Sequence, residues 1–317
     1  MKKYSLIFVI FILVLSACNS RGGKITRMDT PTSGVAIIAA DECFAPIIIE
    51  EVAVFTGLNV EAEINPVYAG EREIFDYLYA DSIRLIIAAR DITDEERAYF
   101  KSIKVTPRSQ KIATDGIALI VNPANKDTLI SIDALKKIMT GEIIRWADVN
   151  PTVVGSLNDD VAVVFDHPSS STLRFISDSI CRGEPLSAGL RALNGNKAVI
   201  EYVASTPNAL GVIGVNWISN PKDSTKLSFD EKIRVVSLSR SEMATKYNSY
   251  KPYPYYLTTR DYPLVRDMFV ILTDLRETLP AGFVQFMAGD SGQRIILKAG
   301  LVPATRPTRL INIQQEF

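Results

Sequence analysis

The stretch Gly34 to Ala40 (GVAIIAA) predicts a buried strand, because it is an unbroken run of small and β-branched apolar residues. Pro46 follows it and predicts the first turn of a helix that runs through Phe55. Gly57 stands where that helix should end, since glycine is favoured just past a helix C-terminus. Asn59 to Ile64 then predicts a second strand.

The same alternation continues on both sides of Asp115. Before it, the sequence predicts helix, strand and helix at Arg72 to Tyr79, Arg84 to Ala89 and Asp94 to Lys101, the last opened by Thr93. Beyond it, the predicted strands are Gly116 to Asn122, Val161 to Phe165, Gly211 to Val215 and Ile233 to Leu238. The predicted helices there are Ser131 to Thr140, Thr172 to Cys181, Ala198 to Ser205, Phe283 to Gly289 and Gln293 to Lys298. Alternating strands and helices predict an α/β protein with parallel strands and helices on the faces of the sheet.

The N-terminus has the charge, length and order of a secretory signal peptide. Lys2 and Lys3 are positive, the next residues up to Ser16 are almost wholly apolar, and Cys18 follows directly. Leu15-Ser16-Ala17-Cys18 resembles the bacterial lipobox, after which the cysteine is diacylated; an ordinary signal peptide that ends near a cysteine is the alternative. We expect cleavage after residue 17, a lipid anchor at Cys18 and a polar tether over residues 18–33.

Composition narrows the classes of function. The 300 residues left after cleavage of the 317-residue chain suggest two domains. Lys and Arg number 35 against 36 Asp and Glu, so no basic face for nucleic acid is indicated. The single histidine, His167, argues against a catalytic or metal centre, and we expect neither metal nor cofactor. Cys43 and Cys181 either pair in an oxidising compartment or stay free and buried.

A row of hydroxyl residues, Ser169, Ser170, Ser171 and Thr172, is the strongest local signal. It lies between the strand that ends at Phe165 and a predicted helix. Hydroxyl donors and unpaired backbone N–H groups meet at a helix N-terminus, where the helix dipole also favours negative charge. One serine would suffice to cap the helix, so the row favours an oxyanion-binding loop over a simple cap.

Several segments together resemble one family, the phosphate-type periplasmic solute-binding proteins of ABC importers. They are Thr114 to Ala118 with Val121-Asn122-Pro123, Leu135 to Trp146 (a helix-Gly-strand-Trp pattern), Leu210 to Gly214, Tyr262-Pro263-Leu264, and Gly289 to Gln293 with Ala299 to Pro303. The resemblance implies a two-lobed type II fold with two crossing segments and a ligand cleft. It places lobe one at residues 34–113 plus 261–317 and lobe two at 114–260.

The resemblance also implies partners: phosphate or a related oxyanion, and an ABC permease in the inner membrane. The protein would be a monomer, anchored to a bacterial membrane and facing the periplasm or the cell surface. Besides the serine row, the resemblance places ligand contacts at Glu42, Cys43, Gly70, Glu71, Arg90 and Asp115. Arg90 is equally well interpreted as the partner of Asp91 or Glu95 in a salt bridge.

This sequence departs from the family at several site positions. Glu42 and Glu71 replace small polar residues, and Phe165 replaces an arginine on the strand before the serine row. Arg84 stands near the position of a carboxylate that accepts the proton of hydrogen phosphate. Since extra carboxylates oppose a dianion unless cations neutralise them, these positions put phosphate specificity in question.

Two other functions compete with anion capture. A binding or sensor protein of the same fold, for another ligand or a protein partner, is favoured by Glu42 and Glu71. A hydrolase would need Ser170 as nucleophile and His167 as base. Those residues share one loop with no evident third group to orient the histidine, so the sequence argues against an enzyme.

Overall fold

The computed structural model describes residues 29–219, 228–274 and 276–305. The strands are β1 (Gly34–Asp41), β2 (Ala62–Ala69), β3 (Leu85–Ala88), β4 (Arg108–Val121), β5 (Leu129–Ser131), β6 (Ala162–Phe165), β7 (Arg191–Ala192), β8 (Ala209–Gly214), β9 (Arg234–Val235), β10 (Ser237–Ser239), β11 (Val265–Leu272) and β12 (Val302–Pro303). The helices are α1 (Ala45–Leu58), α2 (Glu71–Tyr79), α3 (Asp94–Ser102), α4 (Ile132–Thr140), α5 (Ser171–Phe175), α6 (Asn196–Ser205), α7 (Pro254–Thr259), α8 (Leu279–Ala288) and α9 (Asp290–Lys298). A π-helical segment, Ile176–Ile180, continues α5.

The main sheet has the order β2-β1-β3-β11-β4-β8-β6-β7, with β9 and β12 added beside β4. β1 is parallel to β2 and β3, as the alternation of strands and helices predicts. β11 is antiparallel to both β3 and β4. β8 is antiparallel to β4 and parallel to β6. The sheet therefore consists of two mostly parallel parts joined through β11 and β4.

β4 is the strand that both parts share. Its residues up to Gly116 pair with β11, and those from Ile117 onward pair with β8. A Cβ on Gly116 would lie 2.8 Å from Leu257 Cδ2 and 3.0 Å from Val215 Cγ2, so a larger residue at this change of partner would have to displace these side chains. We call the part around β1, β2, β3 and β11 the first lobe, and the part around β8, β6 and β7 the second lobe.

Each lobe has its own hydrophobic core. In the first lobe, Phe44, Ile47 and Phe283 pack with apolar residues of β1, β3 and β11. In the second, Trp146 and Phe165 pack with apolar residues of β4, β6 and β8. Separate cores let the lobes behave as separate bodies, because few buried contacts need to break when they move apart.

The local predictions hold where capping chemistry is explicit. Thr93 and Glu96 form a capping box at the start of α3, and the Ser131 hydroxyl accepts from the Ala134 N–H at the start of α4. The prediction that Gly57 ends α1 is wrong, because the helix continues to Leu58 and the Asn59 amide then bonds the Phe55 carbonyl. The second strand consequently begins only at Ala62.

Three other element predictions need correction. No strand separates Gly141 from Trp146, since Arg145 makes only an isolated bridge to Asp160. The helix predicted over Thr172 to Cys181 changes from α to π geometry after Phe175. β11 was not predicted at all, although it joins the two lobes.

Some predictions lie beyond the described residues or stay predictions. The signal peptide, Cys18 and the tether up to residue 28 lie outside the described ranges. The lobe boundaries stay a prediction; Tyr262, assigned to lobe one, donates its hydroxyl to the Ile117 carbonyl at 2.7 Å and packs in the second lobe's core. Within the described residues, no helix combines the length and the apolar character needed to cross a bilayer.

Candidate functional site

A buried arginine occupies the centre of the junction between the lobes. Arg266 on β11 is 4% exposed. Its Nε donates to Asp115 Oδ2 on β4 at 2.8 Å, and its Nη1 donates to Ser171 Oγ of the second lobe at 2.8 Å. Its Nη2 lies 3.1 Å from Cys43 Sγ, just after β1. One guanidinium thus connects both crossing strands with the serine row and the end of β1.

Arg266 also fixes the polarity of its two neutral neighbours. An arginine can only donate, so Ser171 Oγ and Cys43 Sγ must both accept from it. The proton of each group is then free to point elsewhere, and Cys43 Sγ and Ser171 Oγ lie 3.5 Å apart. Burial raises the pKa of Cys43 well above its ordinary value, so the group is a neutral thiol. Because one of the two groups donates to the other, the Ser171–Cys43 pair keeps one proton that can point elsewhere.

The serine row adopts three different roles. Ser170 caps α5, since its Oγ accepts from the Leu173 N–H at 3.1 Å. Ser169 Oγ lies 2.9 Å from His167 Nδ1, while Ser171 bonds Arg266. Thr172 is fully buried, and its Oγ1 has no hydrogen-bond partner among the described residues. The Ser170–His167 pair that a hydrolase would need is not formed.

At Gly70 the two lobes touch. A Cβ there would lie 2.2 Å from Ser169 Oγ and 3.1 Å from His167 Nδ1, both in the second lobe. Gly70 precedes α2, and its φ of −66° would suit any residue. The requirement for glycine here therefore comes from the close approach of the serine row and not from backbone conformation.

Glu71, next to Gly70, ties the lobes together. It is 3% exposed, and its carboxylate accepts from the Ala89 N–H of its own lobe at 3.1 Å. Arg174 of the second lobe donates to both of its oxygens. Arg90 Nε lies 3.8 Å away on the first-lobe side. Glu71 is thus neutralised by arginines, one of which crosses the cleft.

Glu42 and Cys43 make the equivalent contacts on the other side of the junction. Glu42 Oε2 accepts from the side-chain and backbone N–H groups of Asn196, at the start of α6 in the second lobe. The Cys43 carbonyl accepts from Asn216 Nδ2 at 2.8 Å and Trp217 Nε1 at 2.9 Å. The carboxylates that depart from the family pattern therefore contact the opposite lobe.

Carboxyl groups outnumber cations at the core of the junction. Asp41, Asp115 and Asp166 are each at most 1% exposed, and Glu42 is partly buried, while Arg266 is the cation they surround. Burial raises the pKa of Glu42, and it raises the pKa of Asp115 against the effect of Arg266. Burial and the neighbouring Asp41 raise the pKa of Asp166 to about 7. Protonation thus relieves part of the negative charge.

The same region holds several buried polar atoms without a partner. Among the described residues these include Asp41 Oδ2, Asp115 Oδ1, Asp166 Oδ1, Asn196 Oδ1 and Thr172 Oγ1. Most of them are acceptors. A buried unpaired acceptor is costly, so this arrangement is suited to a ligand that brings hydrogen-bond donors or protons of its own.

Some predicted positions lie elsewhere. Arg90 donates to both Glu96 oxygens at 2.7 and 2.8 Å, so its ion pair is not with Asp91 or Glu95, and its role as an anion partner stays a prediction. Arg84 pairs with Asp81 at the surface. Phe165 lies in the second lobe's core, and Cys43 and Cys181 are both free.

Sequence reasoning missed Arg266, Asp166 and Asn196. A signal for Arg266 was present: in the stretch Val265 to Leu272 (VRDMFVIL) the arginine is in phase with Met268 and Val270, on the buried face of an alternating strand. A charged residue in an apolar phase must be paired, because an isolated charge is too costly to bury.

A solvent-accessible groove of about 580 Å³ lies between the lobes beside this junction. Its first-lobe wall is formed by Arg90 and by α2, and its second-lobe wall by α5 and the residues that follow. Ser169 and Ser170 line it, together with Glu71 and Arg174. The serine row therefore faces both the buried arginine cluster, through Ser171, and this groove.

Comparison with known proteins gives consistent results. Residues 26–291 match a family model described as a PBP superfamily domain. The phosphate-binding protein PstS of Bacillus subtilis is 23% identical, over 96% of this chain and 96% of its own length. PstS of Borreliella burgdorferi is 21% identical, over 95% and 98%. The structure of an ABC-type phosphate transport receptor from Vibrio cholerae, 19% identical, covers 84% of this chain and 99% of its own, with a TM-score of 0.63. These similarities confirm the predicted two-lobed fold.

Asp166 should make stability depend on pH. Its pKa is about 7 in the folded protein and near 3.8 unfolded, so the folded state holds the proton longer and stability falls as pH rises from 4 to 7. Asp166→Asn removes this loss, worth up to about 4 kcal/mol. We expect the variant to gain stability relative to the parent between pH 4.5 and pH 8 in urea unfolding. Exposed Asp159→Asn is the control, and an equal difference at both pH values would contradict the assignment.

The Glu71–Arg174 contact should hold the lobes together. Arg174→Gln leaves Glu71 without its second-lobe donor, so we expect the free protein to open more often and its radius of gyration in solution scattering to rise. Arg84→Gln breaks a surface pair within one lobe and is the matched control. An unchanged radius for Arg174→Gln would show that other contacts close the cleft.

Proposed function

This chain belongs to the PBP superfamily, and we propose that it is a solute-binding protein that captures an oxyanion, phosphate foremost, for an ABC permease in the inner membrane. The observation that supports the proposal is the buried cluster in which Arg266 donates to both Ser171 and Cys43 at the junction of the lobes, so that this pair keeps a proton for a ligand. The names of the relatives support phosphate as the ligand, since the Bacillus subtilis and Borreliella burgdorferi proteins are phosphate-binding proteins.

The donor and acceptor groups of the cluster suit a protonated oxyanion. The Ser171–Cys43 pair offers a proton, and the first backbone N–H groups of α5 lie at the same loop. The unpaired oxygen of Asp41, and that of Asp166 once it is ionised, can accept a hydrogen bond from the proton that hydrogen phosphate carries and sulfate lacks. The surplus of carboxyl groups therefore favours phosphate over a fully ionised dianion.

The lobes provide the means of release. Several inter-lobe contacts are polar, among them Glu71 to Arg174, Glu42 to Asn196, and the Cys43 carbonyl to Trp217. Such contacts exchange readily with water, so a hinge at β4 and β11 can open the cleft and hand the ligand to a permease. No step of this cycle requires catalysis, in agreement with a binding role and not an enzymatic one.

The proposal includes export and a lipid anchor at Cys18. The anchor would hold the receptor near its permease, facing the periplasm or the cell surface, while the chain itself acts as a monomer. A second function, a same-fold receptor for a different ligand or a protein partner, is favoured by the acidic groups Asp41, Glu42 and Asp166 around a single buried arginine.

Phosphate binding tests the proposal directly. Protein purified without phosphate should bind it with saturable heat in calorimetry and bind sulfate more weakly. Ser171→Ala removes one donor to a charged ligand, worth about 1.5–3 kcal/mol, so affinity should fall roughly ten- to a hundredfold. Ser205→Ala, an exposed serine on α6, is the control. Binding of sulfate but not phosphate, or undiminished phosphate binding by Ser171→Ala, would count against the assignment.

The anchor has its own test. Cys18→Ser removes the predicted acyl acceptor, so the protein should no longer partition into the detergent phase or take up labelled fatty acid. Cys43→Ser, which keeps Cys18, should partition like the parent. Partition of Cys18→Ser into detergent at the parental level would rule out the lipid anchor.

A further inference from the structure

The groove beside the serine row is large for an inorganic ion. It encloses about 580 Å³, within the range of roughly 300–1,000 Å³ typical of pockets for organic molecules. Ser169 and Ser170 are among its lining residues, so a ligand held by the serine row would lie next to this space. Nothing in the capture of a bare phosphate ion makes use of this space.

The charged side chains of the groove are suited to a ligand that carries a phosphoryl group. Arg72, Arg90 and Arg174 lie on its walls; Arg90 is paired with Glu96 and Arg174 with Glu71. Arg72 is exposed, so its guanidinium can reach a ligand in the groove. Arginines thus supply donors on both walls of the groove, whereas carboxyl groups predominate in the buried cluster.

The walls favour a hydroxylated group over an aromatic one. Leu173 and Leu186 supply apolar surface, while Ser169, Ser170 and Ser177 supply hydroxyls. Two aromatic rings line the groove, those of Phe75 and Tyr79, and both are already engaged. Arg90 Cζ lies 3.7 Å from the centroid of Phe75, and the ring of Tyr79 stacks on Phe100 and meets Tyr99 edge-on. A flat base would therefore find no aromatic partner on this wall, whereas the hydroxyls of a small polyol would find donors and acceptors.

We propose that the groove binds the organic part of a phosphate monoester of a small polyol, such as glycerol or a hexose, while the serine row binds its phosphoryl group. The inference rests on the proposed function, because it assumes that Ser169 to Thr172 hold an oxyanion. It extends the ligand class from a mineral ion to an organic phosphate.

Calorimetric titrations with inorganic phosphate, glycerol 3-phosphate and glucose 6-phosphate test the proposal. The extra atoms of an ester in contact with the groove should make at least one ester bind about tenfold more tightly than inorganic phosphate. Free glycerol and glucose should not bind detectably, because they lack the group that the serine row holds.

A bulky side chain in the groove locates the organic group. Ser177 lines the groove, so Ser177→Trp should weaken binding of the tighter ester at least tenfold and leave inorganic phosphate unchanged. Ser179 is exposed on the same helical segment and does not belong to the groove lining, which makes Ser179→Trp the matched control. Circular dichroism and an unchanged phosphate affinity show that either variant is folded.

The possible results distinguish a failure of the groove proposal from a failure of the proposed function. Binding of inorganic phosphate with weaker binding of both esters would overturn the groove proposal and leave the proposed function intact. Tight ester binding that Ser177→Trp does not affect would also overturn it, since the organic group would lie elsewhere. Binding of neither phosphate nor ester would remove the proposed function and the groove proposal together.

Discussion

The structure depends above all on how one buried positive charge is accommodated. Arg266 lies at the point where β11 leaves the first lobe, and Asp115 on the neighbouring crossing strand neutralises it. A buried guanidinium needs a partner for each of its N–H groups. The ion pair with Asp115 therefore fixes the register of β11 against β4. The remaining N–H groups bring Ser171 and Cys43 to the same point. The fold and the candidate site are thus specified by the same interaction.

The carboxyl groups at the junction differ in the neighbours that stabilise them. Glu71 is held by arginines, and Glu42 by an amide and a backbone N–H. Within the part of the chain that the structure describes, neither Asp41 nor Asp166 forms an ion pair, and the raised pKa of Asp166, about 7, favours its protonated form instead. A site of this kind discriminates by the protons a ligand carries as well as by its charge, since each buried acceptor must be matched by a donor.

The sequence predicts the elements of the fold well because their signals are local. The apolar run at Gly34, the capping residues Thr93 and Ser131, and the serine row all act within a few residues of themselves. The site was only partly predictable, since its central residue comes from β11, far along the chain from Ser171 and Cys43. The same holds for Glu42 and Glu71, whose partners Asn196 and Arg174 are brought near only when the lobes meet.

One inter-lobe contact makes the intrinsic tryptophan fluorescence of the protein sensitive to movement of the lobes. The chain has two tryptophans. Trp146 is fully buried in the second lobe's core, where its indole environment is shielded from any movement of the lobes. Trp217 is half-buried and donates its indole N–H across the cleft to the Cys43 carbonyl. Separation of the lobes would expose the Trp217 indole to water. The intrinsic fluorescence of Trp217 would therefore report opening and closing, while that of Trp146 stays constant.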